Sequence, residues 1–362
     1  MAPLATDKQD QRHKIRLIAF LVGSMLLISF TFYFYQIYYT PNVLVDHEDR
    51  MLVIKSGTTY KQVLEQIHKQ DFVNDMVSFS FLARWKRLDR NIQPGRYMLR
   101  HNMTNPEAIE ALMGGKGEPV NITFNNVRVR SELAEKITKN IGVTSEEFED
   151  ALDDFIGNNN EGFTKENIVA MFIPNTYQVY FNILPEDLVS RMHEEYLRFW
   201  NDERKSLATA MGLTPLEVST LASIVQAETV KQDEAPVIAG LYINRLKRDI
   251  PLQADPTLVF AVGDFTLKRV LNEHKEVDSP YNTYLHTGLP PGPINMPQIS
   301  SLDAVLHYDK NDYIYMCAKE DFSGYHNFTA SLREHNQNAA KYQRALTIEQ
   351  QKGAALRRAG KK

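Results

Sequence analysis

The sequence predicts an α+β protein in three parts: a single N-terminal transmembrane helix, a small α+β module and a larger α+β domain. Three observations support this prediction. An uncharged apolar run long enough to cross a bilayer comes first. Short strands alternating with amphipathic helices follow it. A well-capped helix with one carboxyl group on its apolar face then lies beyond the middle of the chain. The 362 residues are enough for two or three domains.

The composition excludes several classes of protein. Hydrophobic residues make up 43% and charged residues 24%, as in an ordinary globular protein. A net charge of -4 argues against a nucleic-acid partner, which usually requires a basic excess. The single cysteine, Cys317, excludes an intrachain disulfide framework and a cysteine-cluster metal site. The ten histidines lack ligand spacing, so we expect neither a metal nor a cofactor.

The N-terminus predicts a retained membrane anchor. Leu17 to Tyr35 contains no charged residue, and we place the span at residues 17–38. The basic residues before it predict a cytoplasmic N-terminus, residues 1–16, with the remainder of the chain outside the cytoplasm. These basic residues are Lys8, Arg12, Lys14 and Arg16. Four tyrosines would form an aromatic belt at the outer interface: Tyr33, Tyr35, Tyr38 and Tyr39. A cleaved signal peptide is the alternative, but the apolar run is too long and no small-x-small cleavage site follows.

Residues 46–117 predict the small module. Leu52–Ile54 is expected to form a strand, and a helix with Val63, Leu64 and Ile67 on its apolar face follows. A second helix is predicted over Val77–Trp85, and a strand after Pro94 and Gly95. The pair Asn105-Pro106 should open a further helix. The order strand, helix, helix, strand resembles the LysM fold, a module that recognises amino-sugar glycans.

We expect residues 118–348 to form the larger domain, after a linker at Gly115–Pro119. Expected elements are two strands, two helices opened by polar residues and one long polar helix. They are, in order, strand Val120–Phe124, helices beginning at Ser131 and Thr144, strand Tyr177–Phe181 and helix Pro185–Arg204. The basic residues 349–362 are expected to form a solvated tail.

The helix that carries Glu228 is the central feature of this domain. Thr214 is a good N-cap residue, Pro215 suits the first helical position, and Glu217 completes a capping box. Leu221, Ile224 and Val225 lie seven, four and three residues before Glu228, on the same helical face. A carboxyl on an apolar face loses hydration of its charged form, so its pKa should rise to the range of a general acid. A solvated Glu at the edge of the apolar face is the alternative.

Polar, proline-stiffened segments after this helix predict a carbohydrate-binding surface. Tyrosine rings stack on sugars, and amides and hydroxyls match their hydroxyl groups. The predicted substrate-binding residues are Gln253, Asp255, Thr257, Tyr281, Asn282, Thr283 and Tyr284. The alternative for each of them is a rigid structural loop.

Several of these motifs, taken in order, resemble those of the endolytic murein transglycosylases, the YceG-like family. The motifs are Ala222–Thr229, Ile243–Leu246, Leu252–Thr257, Tyr281–Tyr284, Gly288–Ile294, His326–Phe328 and Glu334–Asn336. The resemblance covers nearly the whole chain and implies that Glu228 is the single catalytic residue. Family members often have another Glu at the position of Gln226. They also often have a Pro-Glu-Gly turn near Asn125-Asn126 and a Glu-Gly near Ala170-Met171, and this chain has neither.

The resemblance implies a membrane-anchored lytic transglycosylase that cleaves peptidoglycan glycan strands endolytically and leaves 1,6-anhydro-muramic acid ends. It further implies action on nascent strands near the membrane, a periplasmic catalytic domain anchored in the inner membrane, and peptidoglycan synthases as candidate partners. Two alternatives stay open. One is a hydrolytic muramidase, which needs a second carboxylate from Asp233, Glu234 or Asp255. For Asp255, an ordinary helix N-cap is the competing interpretation. The other is a membrane-tethered wall-binding protein without catalysis.

Overall fold

A computed structural model describes residues 5–55, 57–114, 119–267 and 270–359. It has the mixed helix and strand content that the sequence predicts. The chain divides into two compact units, which are described separately. The first unit is Met1–Val120 with Tyr180–Leu184, and the second is Asn121–Val179 with Pro185–Lys362.

The first unit begins with the predicted apolar helix, α1 (Ala5–Tyr39). Among the described residues, Gln11–Tyr39 is the one stretch that is by itself a helix long and apolar enough to cross a bilayer. Its large apolar side chains are exposed over most of its length, as lipid contact requires. The structure therefore confirms one N-terminal apolar helix, and the predicted span, residues 17–38, lies within it.

The end of α1 is built into the small module. Ile37 is buried in the module's apolar core. Its carbonyl oxygen accepts a hydrogen bond of 3.0 Å from Nδ2 of Asn105, which is itself fully buried. One residue, Thr40, separates α1 from strand β1 (Pro41–Val43). Tyr38, expected in the aromatic belt, packs partly against the module core.

The module has the strand, helix, helix, strand order that the sequence predicts. After β1, its elements are β2 (Arg50–Ile54), α2 (Tyr60–Lys69), α3 (Met76–Trp85), α4 (Leu88–Asn91), β3 (Gly95–Leu99), β4 (Met103–Thr104) and α5 (Asn105–Met113). Strands β2 and β3 pair antiparallel, with Arg50 opposite Leu99. Helix α5 begins at Asn105, as predicted, and its N-cap residue Thr104 forms a capping box with Glu107. The predicted linker falls mainly on residues 115–118, outside the described residues.

The second unit opens with a two-stranded sheet and several helices. They are β5 (Pro119–Phe124), α6 (Arg130–Thr138), α7 (Ser145–Asn158), β6 (Asn175–Tyr180), α8 (Pro185–Phe199) and α9 (Asp202–Met211). Strand β5 pairs with β6. The capping box of Thr144 and Glu147 on α7 is confirmed.

Two predicted helices in this region differ from the structure, one of them only in the position of its first residue. Helix α6 begins at Arg130, not Ser131, and its N-cap residue Val129 makes no side-chain cap. The single helix expected over Pro185–Arg204 is two helices, because the side chain of Asn201 accepts a hydrogen bond from the backbone N–H of Arg204 and starts a new one.

Four helices that pack against one another form the central part of the second unit. It contains α10 (Pro215–Glu228), α11 (Ala235–Lys247), α12 (Asp255–Val262) and α13 (Ile299–Leu306). Helix α10 has the predicted N-cap Thr214, the capping box with Glu217 and Pro215 at its start. All residues from 218 to 225 are buried. Helix α10 is therefore packed against other parts of the protein on every side over this stretch, and not only on its apolar face. The buried hydroxyls of Ser219, Thr220 and Ser223 donate to carbonyls of their own helix, which satisfies them.

The chain ends in a hairpin and a long helix. Strands β7 (Tyr315–Ala318) and β8 (His326–Thr329) pair antiparallel, with Tyr315 opposite Thr329. Helix α14 (Leu332–Ala359) follows. Residues 349–359, expected as part of a solvated tail, are the last turns of this helix.

Candidate active site

Glu228 is the last residue of α10 and lies at the wall of a cleft of about 1050 Å³. Burial raises the pKa of its carboxyl to about 7. The hydrogen bond from Tyr242 opposes this shift, and the negative charge of Asp255 adds to it. The helix C-terminus acts in the same direction as burial, because the helix dipole is negative there. The protonatable carboxyl predicted from the sequence therefore has the environment of a general acid.

Tyr242 on α11 positions this carboxyl. Its hydroxyl donates a hydrogen bond of 2.8 Å to Oε1 of Glu228, and its ring is buried. Burial and the carboxylate of Glu228 together hold the pKa of Tyr242 well above its ordinary value, so it remains a donor. No sequence spacing reveals this contact, because Tyr242 and Glu228 lie on two different helices.

One wall of the cleft comes from the turn after β5, which includes Asn125, Asn126 and Arg128. Asn126 adopts a left-handed backbone conformation with φ 48°, which asparagine tolerates. Nζ of Lys136 donates to the carbonyl oxygens of Asn125 (2.9 Å) and Asn126 (3.2 Å). Sequence reasoning missed these three cleft residues. The Asn-Asn pair in a turn was the available signal.

The guanidinium of Arg128 lies 4.9 Å from the ring centroid of Phe265, which also lines the cleft. Stacking of this kind holds the side chain in place while leaving its charge available. A second cation, Lys231, lines the cleft next to Glu228. The cleft thus combines a protonatable acid with two basic side chains.

Gln226, on α10, forms hydrogen bonds with the segment that follows Gly292. Its Nε2 donates to Oδ1 of Asn295 at 3.0 Å, and its Oε1 accepts from the backbone N–H of Gln298 at 2.6 Å and from the hydroxyl of Ser301 at 3.2 Å. A side chain held at both ends by these bonds has a structural role. The amide of Gln226 cannot donate an acidic proton as a carboxyl group does. Gln226 is therefore not an alternative to Glu228 as the general acid.

Asp255 lines the same cleft as Glu228, and it is the first residue of α12. The N-cap interpretation is wrong, because the cap residue is Ala254 and Asp255 makes no side-chain cap. Instead, Oδ1 of Asp255 accepts a hydrogen bond of 2.6 Å from the hydroxyl of Tyr284. Burial and this carboxylate raise the pKa of Tyr284 far above its ordinary value. Two tyrosine–carboxyl pairs therefore meet at the site.

Three predicted substrate-binding residues lie beneath the surface. Thr257, Asn282 and Thr283 are each at most 2% exposed, and none of them lines the cleft. The hydroxyls of Thr257 and Thr283 are 2.8 Å apart, and Nδ2 of Asn282 donates to the carbonyl oxygens of Lys275 and Val277. Their contacts hold the loops together, and their burial keeps these three side chains away from the cleft surface.

Gln253 and Tyr281 also lie outside the cleft lining. Gln253 has a left-handed φ of 52°, and its backbone N–H donates to the carbonyl oxygen of Thr283. The ring of Tyr281 packs on Phe260, and burial raises the pKa of its hydroxyl to about 12. Arg245 holds the neighbouring segment through hydrogen bonds to the carbonyl oxygens of residues 251 and 252.

The remaining candidates for a second carboxylate are engaged elsewhere. Glu234 is 5% exposed, and its carboxylate accepts hydrogen bonds from the backbone N–H of His326 (2.7 Å) and from the hydroxyl of Thr229 (3.3 Å). Its Oε2 lies 2.8 Å from Nδ1 of His326. Asp233 accepts from the hydroxyl of Tyr325. Neither lines the cleft, whereas Asp255 does.

The fold and the cleft define a class: an α+β protein with an N-terminal apolar helix and a polar cleft that has one partly buried acid at its wall. The chain belongs to the YceG-like family, whose model matches residues 52–341. It is 30% identical over 313 residues to a Bacillus subtilis protein named endolytic murein transglycosylase, covering 80% of this chain and 83% of that protein.

Two further proteins extend this similarity. A Streptococcus pneumoniae protein of the same name is 24% identical over 365 residues, which is 91% of this chain and 65% of the pneumococcal one. A crystal structure of a yceG-like protein from Listeria monocytogenes matches with a TM-score of 0.51 and 24% identity, over 80% of this chain and 98% of that one. The structural match shows the shared fold.

Proposed function

We propose that this protein is a membrane-anchored lytic transglycosylase that cleaves the β-1,4 bond between N-acetylmuramic acid and N-acetylglucosamine within peptidoglycan strands. One observation carries the proposal. Glu228, at the wall of a polar cleft, has a pKa of about 7 and can therefore both give and receive a proton near neutral pH. The names of the relatives from Bacillus and Streptococcus support the same activity.

In the proposed mechanism, Glu228 first donates its proton to the glycosidic oxygen as the bond between that oxygen and C1 of muramic acid breaks. The N-acetylglucosamine of the leaving strand departs with a new hydroxyl. The resulting carboxylate then accepts the proton of the muramic acid 6-hydroxyl as its oxygen bonds to C1. The product is a 1,6-anhydro ring, no water is consumed, and Glu228 ends protonated. One carboxyl is sufficient because the substrate supplies its own nucleophile.

Tyr242 would support both stages. It donates to Oε1 of Glu228 at 2.8 Å, which stabilises the carboxylate between the two proton transfers. It also limits rotation of the carboxyl group, so that the acidic proton stays on Oε2. Tyr242 is a positioning residue in this scheme, since it reaches the substrate only through Glu228.

We propose a revised set of substrate contacts. Asp255 is retained, because it lines the cleft. Asn125, Asn126 and Arg128, in the turn after β5, are added because they line the same cleft. Peptidoglycan strands have carboxylates on their peptides, and Arg128 is a cation suited to bind one of them. Tyr281, Tyr284 and Gln253 are proposed to shape the rim of the binding surface.

A hydrolytic muramidase is the second candidate, and Asp255 supports it. Among Asp233, Glu234 and Asp255, it alone lines the cleft with Glu228. A hydrolase would use Asp255 as the base or nucleophile that an ordinary glycosidase needs. The hydroxyl of Tyr284 donates a hydrogen bond of 2.6 Å to Oδ1 of Asp255 and so orients this carboxylate.

The products distinguish the two reactions. The full-length protein is incubated with purified glycan strands in water enriched in ¹⁸O, and the released ends are analysed by mass spectrometry. A transglycosylase gives 1,6-anhydro-muramic acid ends without the heavy isotope. Reducing ends that contain ¹⁸O would assign the reaction to a hydrolase and make Asp255 the second carboxylate. Intact strands would leave only the wall-binding alternative.

We also propose that the cleft lies on the outer side of the inner membrane, with the N-terminus in the cytoplasm. The basic residues before α1 support this orientation. Reporter fusions after Asp46 should be active only for a reporter that works outside the cytoplasm. The module over residues 46–117 is proposed to be LysM-like and to bind glycan, and peptidoglycan synthases remain candidate partners.

A further inference from the structure

Helix α3 of the module is apolar on two opposite faces. One face, with Phe79, Leu82 and Ala83, is buried in the module core. The other has Val77, Phe81 and Trp85 at intervals of four residues, and these side chains are 73%, 57% and 60% exposed. We call these three residues the α3 stripe. Aligned large apolar side chains at this exposure normally mark a surface that contacts something.

The α3 stripe begins where the membrane helix ends. The ring of Trp85 meets the ring of Phe34 edge to face, with centroids 5.9 Å apart. Phe34 belongs to the apolar part of α1 and stacks on Tyr38, with centroids 6.1 Å apart. The stripe is therefore continuous with a surface that is covered by lipid when α1 spans a bilayer.

The connection between α1 and the module is rigid. Ile37 is part of the module core, its carbonyl oxygen is held by Asn105, and a single residue separates α1 from β1. These contacts hold the module close to the membrane surface when α1 spans a bilayer. A residue in contact with Phe34 must lie at the depth of the outer interface, since Phe34 is five residues from the end of α1.

The residues around the stripe have the chemistry of a membrane interface. Arg84 lies on the same side of α3, seven residues after Val77, and is exposed. Arg87 and Arg90 follow on the surface of the adjoining segment. Tryptophan and arginine are typical of this depth, because each has an apolar body and a polar end that reaches the headgroups. Arginine side chains at this depth can donate charge-assisted hydrogen bonds to the phosphates of lipid headgroups.

We propose that the α3 stripe inserts into the outer interfacial layer of the bilayer that α1 spans, with Arg84, Arg87 and Arg90 at the lipid headgroups. The module is thus a peripheral membrane element as well as part of an anchored protein. The occupant of the stripe is lipid. The proposal requires that α1 spans a bilayer, and it is independent of the catalytic activity.

Spin labels test this assignment in the full-length protein. Cys317, the single cysteine, is replaced by Cys317→Ser, and Phe81→Cys is labelled in lipid vesicles that contain anionic lipid. Lys69→Cys on α2, whose native side chain is 73% exposed, provides the matched control. The accessibility of each label to oxygen, which concentrates in the bilayer, is compared with its accessibility to a water-soluble nickel chelate.

The label at position 81 should collide several-fold more often with oxygen than with the chelate, and the label at position 69 should show the reverse. Equal values at the two positions would overturn the proposal, because the stripe would then face water. Spin–spin broadening at position 81 that disappears on dilution with unlabelled protein would assign the stripe to a second copy and also overturn it. Val77→Cys repeats the test one turn away, at an exposed position where the substitution leaves the core intact.

Discussion

The hydroxyl of Tyr242 donates a 2.8 Å hydrogen bond to Oε1 of Glu228, joining the middle of α11 to the last residue of α10. With Oε1 occupied by a donor, the proton of the neutral carboxyl resides on Oε2. One contact therefore decides which oxygen is the acid. The same contact favours the carboxylate, so it moderates the pKa that burial raises.

Replacement of Glu228 by Gln should abolish measurable cleavage. The amide keeps the shape of the side chain, but it neither donates an acidic proton nor accepts one back. General acid–base catalysis supplies about a hundred- to ten-thousand-fold in rate, and here one group acts in both steps. Release of fragments from purified glycan strands measures the loss. Near-normal turnover would contradict the assignment of Glu228.

Glu217→Gln is the matched control for that variant. Glu217 lies on the same helix, and its carboxylate accepts a hydrogen bond from the backbone N–H of Thr214 in the capping box. Glutamine also serves at this position of a capping box. We expect turnover within a factor of two of the wild type and a stability loss of about 1 kcal/mol or less.

Stability should depend on pH through Glu228. Its pKa is about 7 in the folded protein against 4.5 for an ordinary Glu, so the folded state keeps a proton that the unfolded state has released. Between these values the unfolded state binds fewer protons, and the free energy of unfolding therefore falls as pH rises. The loss amounts to at most about 3 kcal/mol, and water in the cleft reduces it.

The difference in stability between the wild type and Glu228→Gln isolates this effect. Denaturant unfolding at pH 4 and pH 8, followed by the fluorescence of the fully buried Trp200, provides the measurement. The wild type should lose stability relative to the variant as pH rises from 4 to 8. A constant difference over this range would show that Glu228 has an ordinary pKa.

Tyr242→Phe should shift the pH profile of the reaction upward. The proposed acid is active when protonated, so the rate of the wild type should decline above about pH 7. Loss of the hydroxyl removes a bond that favours the carboxylate, which raises the pKa of Glu228 and moves the decline to higher pH. Rates at saturating substrate from pH 5 to 9 give the profile. If Tyr242 had a purely structural role, the substitution would lower the rate at every pH and would leave the pH of the decline unchanged.

Asp255→Asn should shift that profile downward. The negative charge of Asp255 contributes to the raised pKa of Glu228, and its removal lowers that pKa. Activity should persist below pH 7 and decline earlier than in the wild type. If turnover disappears at every pH, Asp255 is an essential second carboxylate. Tyr284→Phe removes the hydrogen bond to Asp255 but keeps its charge, so it should leave the decline near its original pH.

Arg128→Gln should weaken binding of strands that have peptides. A single charge-assisted contact contributes about 1.5–3 kcal/mol, which corresponds to a rise in KM of about ten- to a hundred-fold. Arg128→Lys should restore part of the loss because it keeps the charge. Strands from which the peptides have been removed should show a much smaller difference. An equal loss on both substrates would assign Arg128 to the glycan backbone.

Much of the fold could be predicted because its signals are local. The capping boxes at Thr144 and Thr214 each depend on a residue three positions further on, and both are confirmed. The membrane helix depends on an uninterrupted apolar run, and the buried residues of α2 depend on helical spacing. Where a local signal was incomplete, the boundaries moved: Asn201 started a second helix inside the predicted Pro185–Arg204.

The sequence by itself determined the anchor, the order of the module, the course of α10 and the position of the acid at its end. The tertiary structure alone decided what surrounds that acid. Tyr242 reaches Glu228 from another helix, and the turn at Asn125 lies about a hundred residues earlier in the chain. The tertiary structure also decided that the hydroxyls of Thr257 and Thr283 face each other beneath the cleft. Helical and strand periodicity follow from contacts between near neighbours in the chain, whereas burial and the pKa of Glu228 depend on residues brought together only by packing.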